Sequence, residues 1–333
     1  MVRLALPIFI KKFGVENISV ILTTLKNVQI QEASNGKNML SLLKEHENSQ
    51  VIDDPSSITN DSVKAMSVGI YESNPFFSIS ENQDINIQKV KRYIILRSGK
   101  IDLEKFAAFV HEFGHAIKST HNEFSISHKD SQNTLIYRNG LINNRQSMSL
   151  QGDKILLKNI SSVGTGMEEG VNTMFEEDIV NEILSMNRND IPEDLLELFD
   201  TIRENRENDE EYKSNAYGPE CAAARALFNI PGFPERIIYD ELYGTSKTEA
   251  FYDSMIPEDK KAKNSWHLML KNLDDTMRYN YLAIQSMQKL NRTKLKENMQ
   301  KRVDSFTQVA TQIIDMSKFY KQKREDPDQE IRL

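Results

Sequence analysis

The chain has 333 residues, 39% of them hydrophobic, and a formal net charge of −7. That length and apolar content are enough for a sizeable core and for more than one subdomain, while the acidic balance argues against nucleic acid as a partner. A single cysteine, Cys221, excludes an intrachain disulfide framework and every cysteine-rich zinc site, and no apolar run reaches the length of a membrane span.

The chain opens on an apolar run ending in Lys11-Lys12. It is short and has no small-residue cleavage site, so it does not read as a signal peptide, and a cytoplasmic location is expected. Residues 19–25 and 89–96 read as β-strands, 38–45 as a short helix, and 50–62, polar and containing Pro55, as a loop. The second strand leads directly to the most informative segment. It could be an edge strand, to which an extended substrate adds through main-chain hydrogen bonds, or an interior one.

Ser98-Gly99-Lys100 ends that strand and Asp102 stands where a helix N-cap would, so a helix is expected over about 103–119. It carries His111-Glu112-Phe113-Gly114-His115. Positions i and i+4 share a helix face, so the two imidazoles can take adjacent corners of a Zn²⁺ tetrahedron. Glu112 then projects beside the ion, where a carboxylate can take a proton from a metal-activated water. Ala108, Phe109 and Val110 before the pair and Ala116 and Ile117 after it give the helix a buried face. Two unrelated surface histidines would not be framed in this way.

Catalytic zinc commonly has three protein ligands. His121 stands at the spacing of the metzincin pattern H-E-x-x-H-x-x-G-x-x-H, but Lys118 replaces the glycine at which that helix ends and turns. The second candidate lies in Gly164-Thr165-Gly166-Met167-Glu168-Glu169-Gly170-Val171-Asn172-Thr173-Met174-Phe175, a glycine-loosened loop opening a helix. Together with the His-Glu-x-x-His helix, this segment resembles the N-E-G-x-x-x-Y/F stretch of the gluzincin metallopeptidases, a zincin group that includes the M1 aminopeptidases and thermolysin. Glu169-Gly170 match the E-G, Glu168 replaces the Asn, and Phe175 falls near the aromatic position.

The resemblance implies a Zn²⁺ cofactor, Glu169 as third ligand beside His111 and His115, and hydrolysis of a peptide or protein substrate with Glu112 as general base. The chain departs from the thermolysin type at Thr173, where that type carries an Asp that orients a His ligand. About fifty residues also separate the two motifs. Alternatives to Glu169 are His121, Glu168 or another acid, and the acidic pair 168–169 also suits a first helical turn. A phosphate loop is not expected, since two carboxylates occupy the helix N-terminus and no P-loop Lys is present.

Between the motifs, 134–150 reads as a hairpin about Asn139-Gly140 and Asn143-Asn144, with a further strand at 154–158. This insertion either shapes the substrate cleft or is a surface excursion. Helices are expected at about 168–187, 193–206, 216–228, 234–243 and 247–255. Tyr217, before the apolar helix containing Cys221, is the first candidate for the donor that stabilises a developing oxyanion, with Tyr252, Tyr239, His128 and His267 as alternatives. From Trp266 to Phe319, apolar residues recur at three- and four-residue spacing in two amphipathic helices, which pack on the rest of the chain or self-associate as a coiled coil.

The expected fold is α+β. A zincin-like metallopeptidase core with a small N-terminal β-sheet is followed by a largely α-helical C-terminal part ending in a long helical hairpin. The expected parts are 1–165, 166–260 and 261–333. The functional alternative is a zinc-binding interaction module, or a catalytically silent zincin, whose C-terminal hairpin binds a protein partner.

Overall fold

The computed structural model describes residues 1–33, 42, 51–53, 68–80, 84–118, 123–129, 132–204, 211–257 and 265–325. These residues form ten α-helices and two small sheets, a mixed α and β architecture. None of the described helices is long and apolar enough to cross a membrane. The chain divides into two compact units. The first holds Met1–Asn139, Asn144–Ser161 and Phe175–Lys213, and the second Gly140–Asn143, Ser162–Met174 and Ser214–Leu333. One helix, α4 (Thr165–Ser185), is continuous through the division.

The first unit begins with α1 (Val2–Phe13), which buries Leu4, Ala5, Ile8, Phe9 and Phe13 and stops at Gly14, whose φ of 91° suits a residue without a Cβ. Residues 19–25 were expected as a strand and are instead helical, within α2 (Ile18–Leu25). A short run made mostly of β-branched and apolar residues fits either period. What fixes the helix is burial of Ile21 and Thr24, three residues apart, with the Thr24 hydroxyl donating to the Val20 carbonyl at 3.0 Å.

A three-stranded sheet follows, formed by β1 (Val28–Glu32), β3 (Gly69–Ile79) and β4 (Ile85–Leu96) in the order β1-β4-β3. β1 runs parallel to β4 and β3 antiparallel, with a register shift at Phe76/Phe77. The strand before the His-Glu-x-x-His helix is therefore interior, as its buried Tyr93-Ile94-Ile95-Leu96 requires, and β1 and β3 are the edges. The second sheet has the order β2-β8-β7-β6-β5, from β2 (Val51–Asp53), β5 (Phe124–Lys129), β6 (Gln132–Asn139), β7 (Ile142–Gln151) and β8 (Lys154–Val163). It contains the expected hairpin and the further strand. β2 lies inside the stretch expected as loop, whose remainder, like the expected 38–45 helix apart from Leu42, falls outside the described residues. Phe77 and Ile85 pack with Leu135, Met148, Ile155 and Leu157 in one core cluster.

Helix α3 (Leu103–Lys118) carries the motif. Asp102 caps it, its carboxylate accepting the Lys105 amide at 2.8 Å. Its non-polar face is aromatic: Phe113 meets Phe9 edge-on at 5.5 Å and stacks on Phe109 at 5.2 Å. Phe13 in turn packs against Phe175, in the C-terminal half of α4. α5 (Leu196–Glu204) completes the unit.

The second unit is helical: the first half of α4, then α6 (Gly218–Phe228), α7 (Phe233–Tyr243), α8 (Lys247–Met255), α9 (Ser265–Gln288) and α10 (Arg292–Glu325). Phe233, Phe251, Tyr252 and Trp266 form an aromatic centre. Asp240 ties α7 to α8 by accepting the Lys247 and Thr248 amides at 3.0 and 2.7 Å. α9 and α10 are the expected hairpin; they bury Leu270, Leu273, Val309, Ile313 and Met316 and leave Met299, Val303 and Ile314 exposed.

Candidate metal centre

On α3, His111 and His115 are each 8% exposed, with ring centroids 5.2 Å apart. Each is held from behind. The Nδ1 atom of His111 donates to Glu176 Oε2 at 3.0 Å, and the Tyr212 hydroxyl donates to the other Glu176 oxygen at 2.5 Å. Tyr212 is itself fastened to α4, its amide donating to Asn181 Oδ1 at 2.7 Å and its carbonyl accepting from Asn181 Nδ2 at 3.0 Å. His115 lies under the ring of Tyr71, nearly parallel at 6.2 Å between centroids. The Tyr71 hydroxyl donates to Glu123 at 3.3 Å, and Glu123 pairs with Arg92 at 2.7 Å in the interior. A carboxylate on Nδ1 fixes the tautomer of His111 and leaves Nε2 with its lone pair for a ligand bond.

Glu112 lies on the same turn and is partly buried. Its Oε2 accepts the backbone amide of Tyr71, on the edge strand β3, at 2.7 Å. That contact needs a close approach of strand and helix, which Gly69 allows: a Cβ there would lie 3.0 Å from the Glu112 side chain.

One ring nitrogen from each of His111 and His115 and one carboxylate oxygen of Glu169 lie within 4.8 Å of one another. Glu169 and Glu176 are seven residues apart on α4 and so share a helix face. Glu168 points elsewhere, accepting the Leu141 amide at 3.0 Å beside Gly140. Gly170 lets α4 and α6 touch: a Cβ there would lie 2.3 Å from the Glu220 carbonyl oxygen. Glu220 is consequently buried, and its pKa is raised by loss of solvent and by the charge of Glu169. His121 lies outside the described residues.

Tyr217 caps α6 in left-handed backbone, φ 52° and ψ 34°. Its hydroxyl is 3.2 Å from that of Tyr281 on α9. Burial raises the pKa of Tyr281, and the charges of Glu169 and Glu220 raise it further. The alternatives are engaged elsewhere. Tyr252 is 2% exposed in the aromatic centre. Tyr239 stacks on Tyr243 under the Lys247 ammonium. His128 bonds Asn133 in the β5–β6 hairpin, and His267 faces Glu249 at 4.0 Å.

Sequence reading missed Glu176, Tyr212, Tyr71 and Tyr281. Glu176 stands one heptad after Glu169, but inside the acidic run Glu176-Glu177-Asp178, which reads as a solvated helix face.

Comparison with protein-family models, curated proteins and solved structures yields no match to this chain. Two imidazoles and one carboxylate suit Zn²⁺, a borderline cation that favours nitrogen ligands, and three ligands leave a position open. The buried carboxylate on Nδ1 of His111 is the support such a ligand requires.

Proposed function

We propose that the protein is a zinc-dependent hydrolase of peptide bonds. The observation that carries this reading is the convergence of His111, His115 and Glu169 donor atoms within 4.8 Å beside Glu112. His111, His115 and Glu169 would hold the ion. When bound, Zn²⁺ lowers the pKa of a coordinated water to about 7 and polarises a carbonyl.

Glu112 accepts the proton of the attacking water and delivers it to the leaving amine. The Tyr71 amide fixes one of its oxygens and so sets the direction in which the carboxylate faces. Tyr217 donates to the oxyanion that develops on the former carbonyl. The substrate backbone runs along β3, since an extended peptide pairs with an edge strand and, of the two edges β1 and β3, β3 is the one that contacts Glu112. Glu112 separates this reading from a silent zinc module, because a structural site has no use for a carboxylate between its His ligands.

The test pairs metal analysis of the purified protein with a proteome-derived peptide library read by mass spectrometry. One zinc per chain and new termini that vanish on chelation and return with zinc support the proposal. A metal-free protein, or cleavage indifferent to chelation, overturns it.

A further inference from the structure

We propose that Glu123 is a positioning residue for the site: by taking the Tyr71 hydroxyl it fixes the ring and the stretch of main chain against which His115 and Glu112 are set. The task rests on the hydrolase reading and deepens it. Every residue involved belongs to the first compact unit. Tyr71 touches two members of the motif at once. Its amide donates to Glu112 Oε2 at 2.7 Å, and its ring lies 18° from parallel to the His115 imidazole at 6.2 Å between centroids. Ring stacking is weak and tolerates sliding, so the tyrosine needs a second fixed point.

Glu123 supplies it. Its side chain is fully buried, and Arg92 beside it is 9% exposed. Arg92 Nε donates to Glu123 Oε2 at 2.7 Å, and the Arg138 amide of β6 donates to the Glu123 carbonyl at 2.7 Å, so the residue is held by side chain and main chain alike. The Tyr71 hydroxyl donates to the other carboxylate oxygen at 3.3 Å. Strand register makes the contact possible. Ser73 stands opposite Arg92 and Tyr71 opposite Ile94, which places Tyr71 and Arg92 diagonally on one face of the sheet. A buried ion pair is a poor source of stability, because desolvation offsets its attraction. Its value at this position is the geometry it imposes on the strand that faces α3.

The experiment compares Tyr71→Phe, Glu123→Gln and the double variant as full-length chains. Tyr71→Phe removes one hydroxyl and leaves the buried pair whole, so it keeps the test open if Glu123→Gln fails to fold. Three quantities are read: zinc affinity by competition with a chelator, kcat and KM on a library peptide at saturating zinc, and NMR of the metal-free protein with ¹³Cε1-labelled histidine. The His115 signal is the one of six that is lost in His115→Gln, and that of His267, which faces Glu249, is the control. Tyr71→Phe is expected to weaken zinc binding and to lower kcat, each about tenfold, with KM held. Glu123→Gln leaves one oxygen for two donors and should act in the same direction. The double variant should be no worse than Tyr71→Phe alone. The His115 signal should move in both single variants while that of His267 stays.

An unmoved His115 signal in Tyr71→Phe, or wild-type zinc affinity in that variant, overturns the proposal whether or not the wild type cleaves peptides. Losses that multiply in the double variant show that Glu123 does not act through Tyr71 and overturn it as well. A moved signal and weakened zinc binding in a protein that cleaves nothing uphold the anchor and sink the hydrolase reading alone.

Discussion

Glu176 Oε2 takes the Nδ1 proton of His111 at 3.0 Å while its other oxygen takes the Tyr212 hydroxyl at 2.5 Å. The carboxylate is thus fixed at both ends and the imidazole has one orientation. Supports of this kind typically contribute 10–100-fold to metal affinity. Glu176→Ala is therefore expected to weaken zinc binding by about that factor, and Tyr212→Phe by less, since it leaves the His111 contact in place. Titration against a chelator of known affinity measures both. Wild-type affinity in Glu176→Ala would show that His111 needs no such partner.

Glu112→Gln separates holding the ion from using it. Glutamine keeps a carbonyl oxygen able to accept the Tyr71 amide, so the helix and β3 should stay together. It cannot accept the proton. Zinc content and thermal midpoint are expected to match wild type, and turnover to fall at least about a hundredfold. A variant that still turns over removes Glu112 from the role of general base.

The third ligand is decided by metal content. Glu169→Ala deletes one of three converging donors and should purify with little zinc, whereas His121→Ala should keep a full equivalent. The reverse pattern would move the ligand set to the spacing of the metzincin pattern.

How far these features could be read from the sequence depended on whether their signals were local. The α3 helix was legible because cap, apolar frame and the i, i+4 pair lie within twenty residues. The 154–158 strand and the C-terminal hairpin were legible for the same reason. Residues 19–25 were misread because a short β-branched run carries no decisive period, and only burial of Ile21 and Thr24 settles it. Glu176 was hidden in the acidic run 176–178, which reads as a solvated face. Tyr71 reaches Glu112 across 41 positions and Tyr281 reaches Tyr217 across 64, with no motif at either. The Glu-Gly pair at 169–170 could be taken only from resemblance, and its physical ground is the contact of α4 with the Glu220 backbone.

That contact makes Gly170 a sharp test of packing. A methyl group there would lie 2.3 Å from the Glu220 oxygen and 2.5 Å from its carbon. Both are backbone atoms, so a helix must move. Gly170→Ala is expected to lose about 1–3 kcal/mol of stability and, because Glu169 is the next residue, some of its zinc affinity. Gly218→Ala is the control, since its added methyl meets nothing within 4 Å. Urea melts of the two variants compare them directly; equal stability would mean that α4 and α6 do not meet at Gly170.

Asp274 ties the start of α4 to the hairpin, its two oxygens accepting the Gly164 amide at 2.9 Å and the Gly166 amide at 2.7 Å. Burial, opposed by those two bonds and reinforced by Asp275, pushes its pKa from 3.8 to about 7. The folded protein therefore holds this proton more tightly than the unfolded chain. The resulting stability is fully present below about pH 4 and is lost as pH rises through about 7, a swing of about 4 kcal/mol. In Asp274→Asn the group no longer titrates, and one of the two amides faces an NH₂ instead of an oxygen. Below pH 5 the variant should be the less stable of the two, because it lacks that acceptor, and the gap should narrow or reverse by pH 8. Chemical unfolding of both proteins at pH 4.5, 6, 7 and 8 gives the difference curve. A gap that stays constant with pH would mean that Asp274 is ionised in the folded protein throughout.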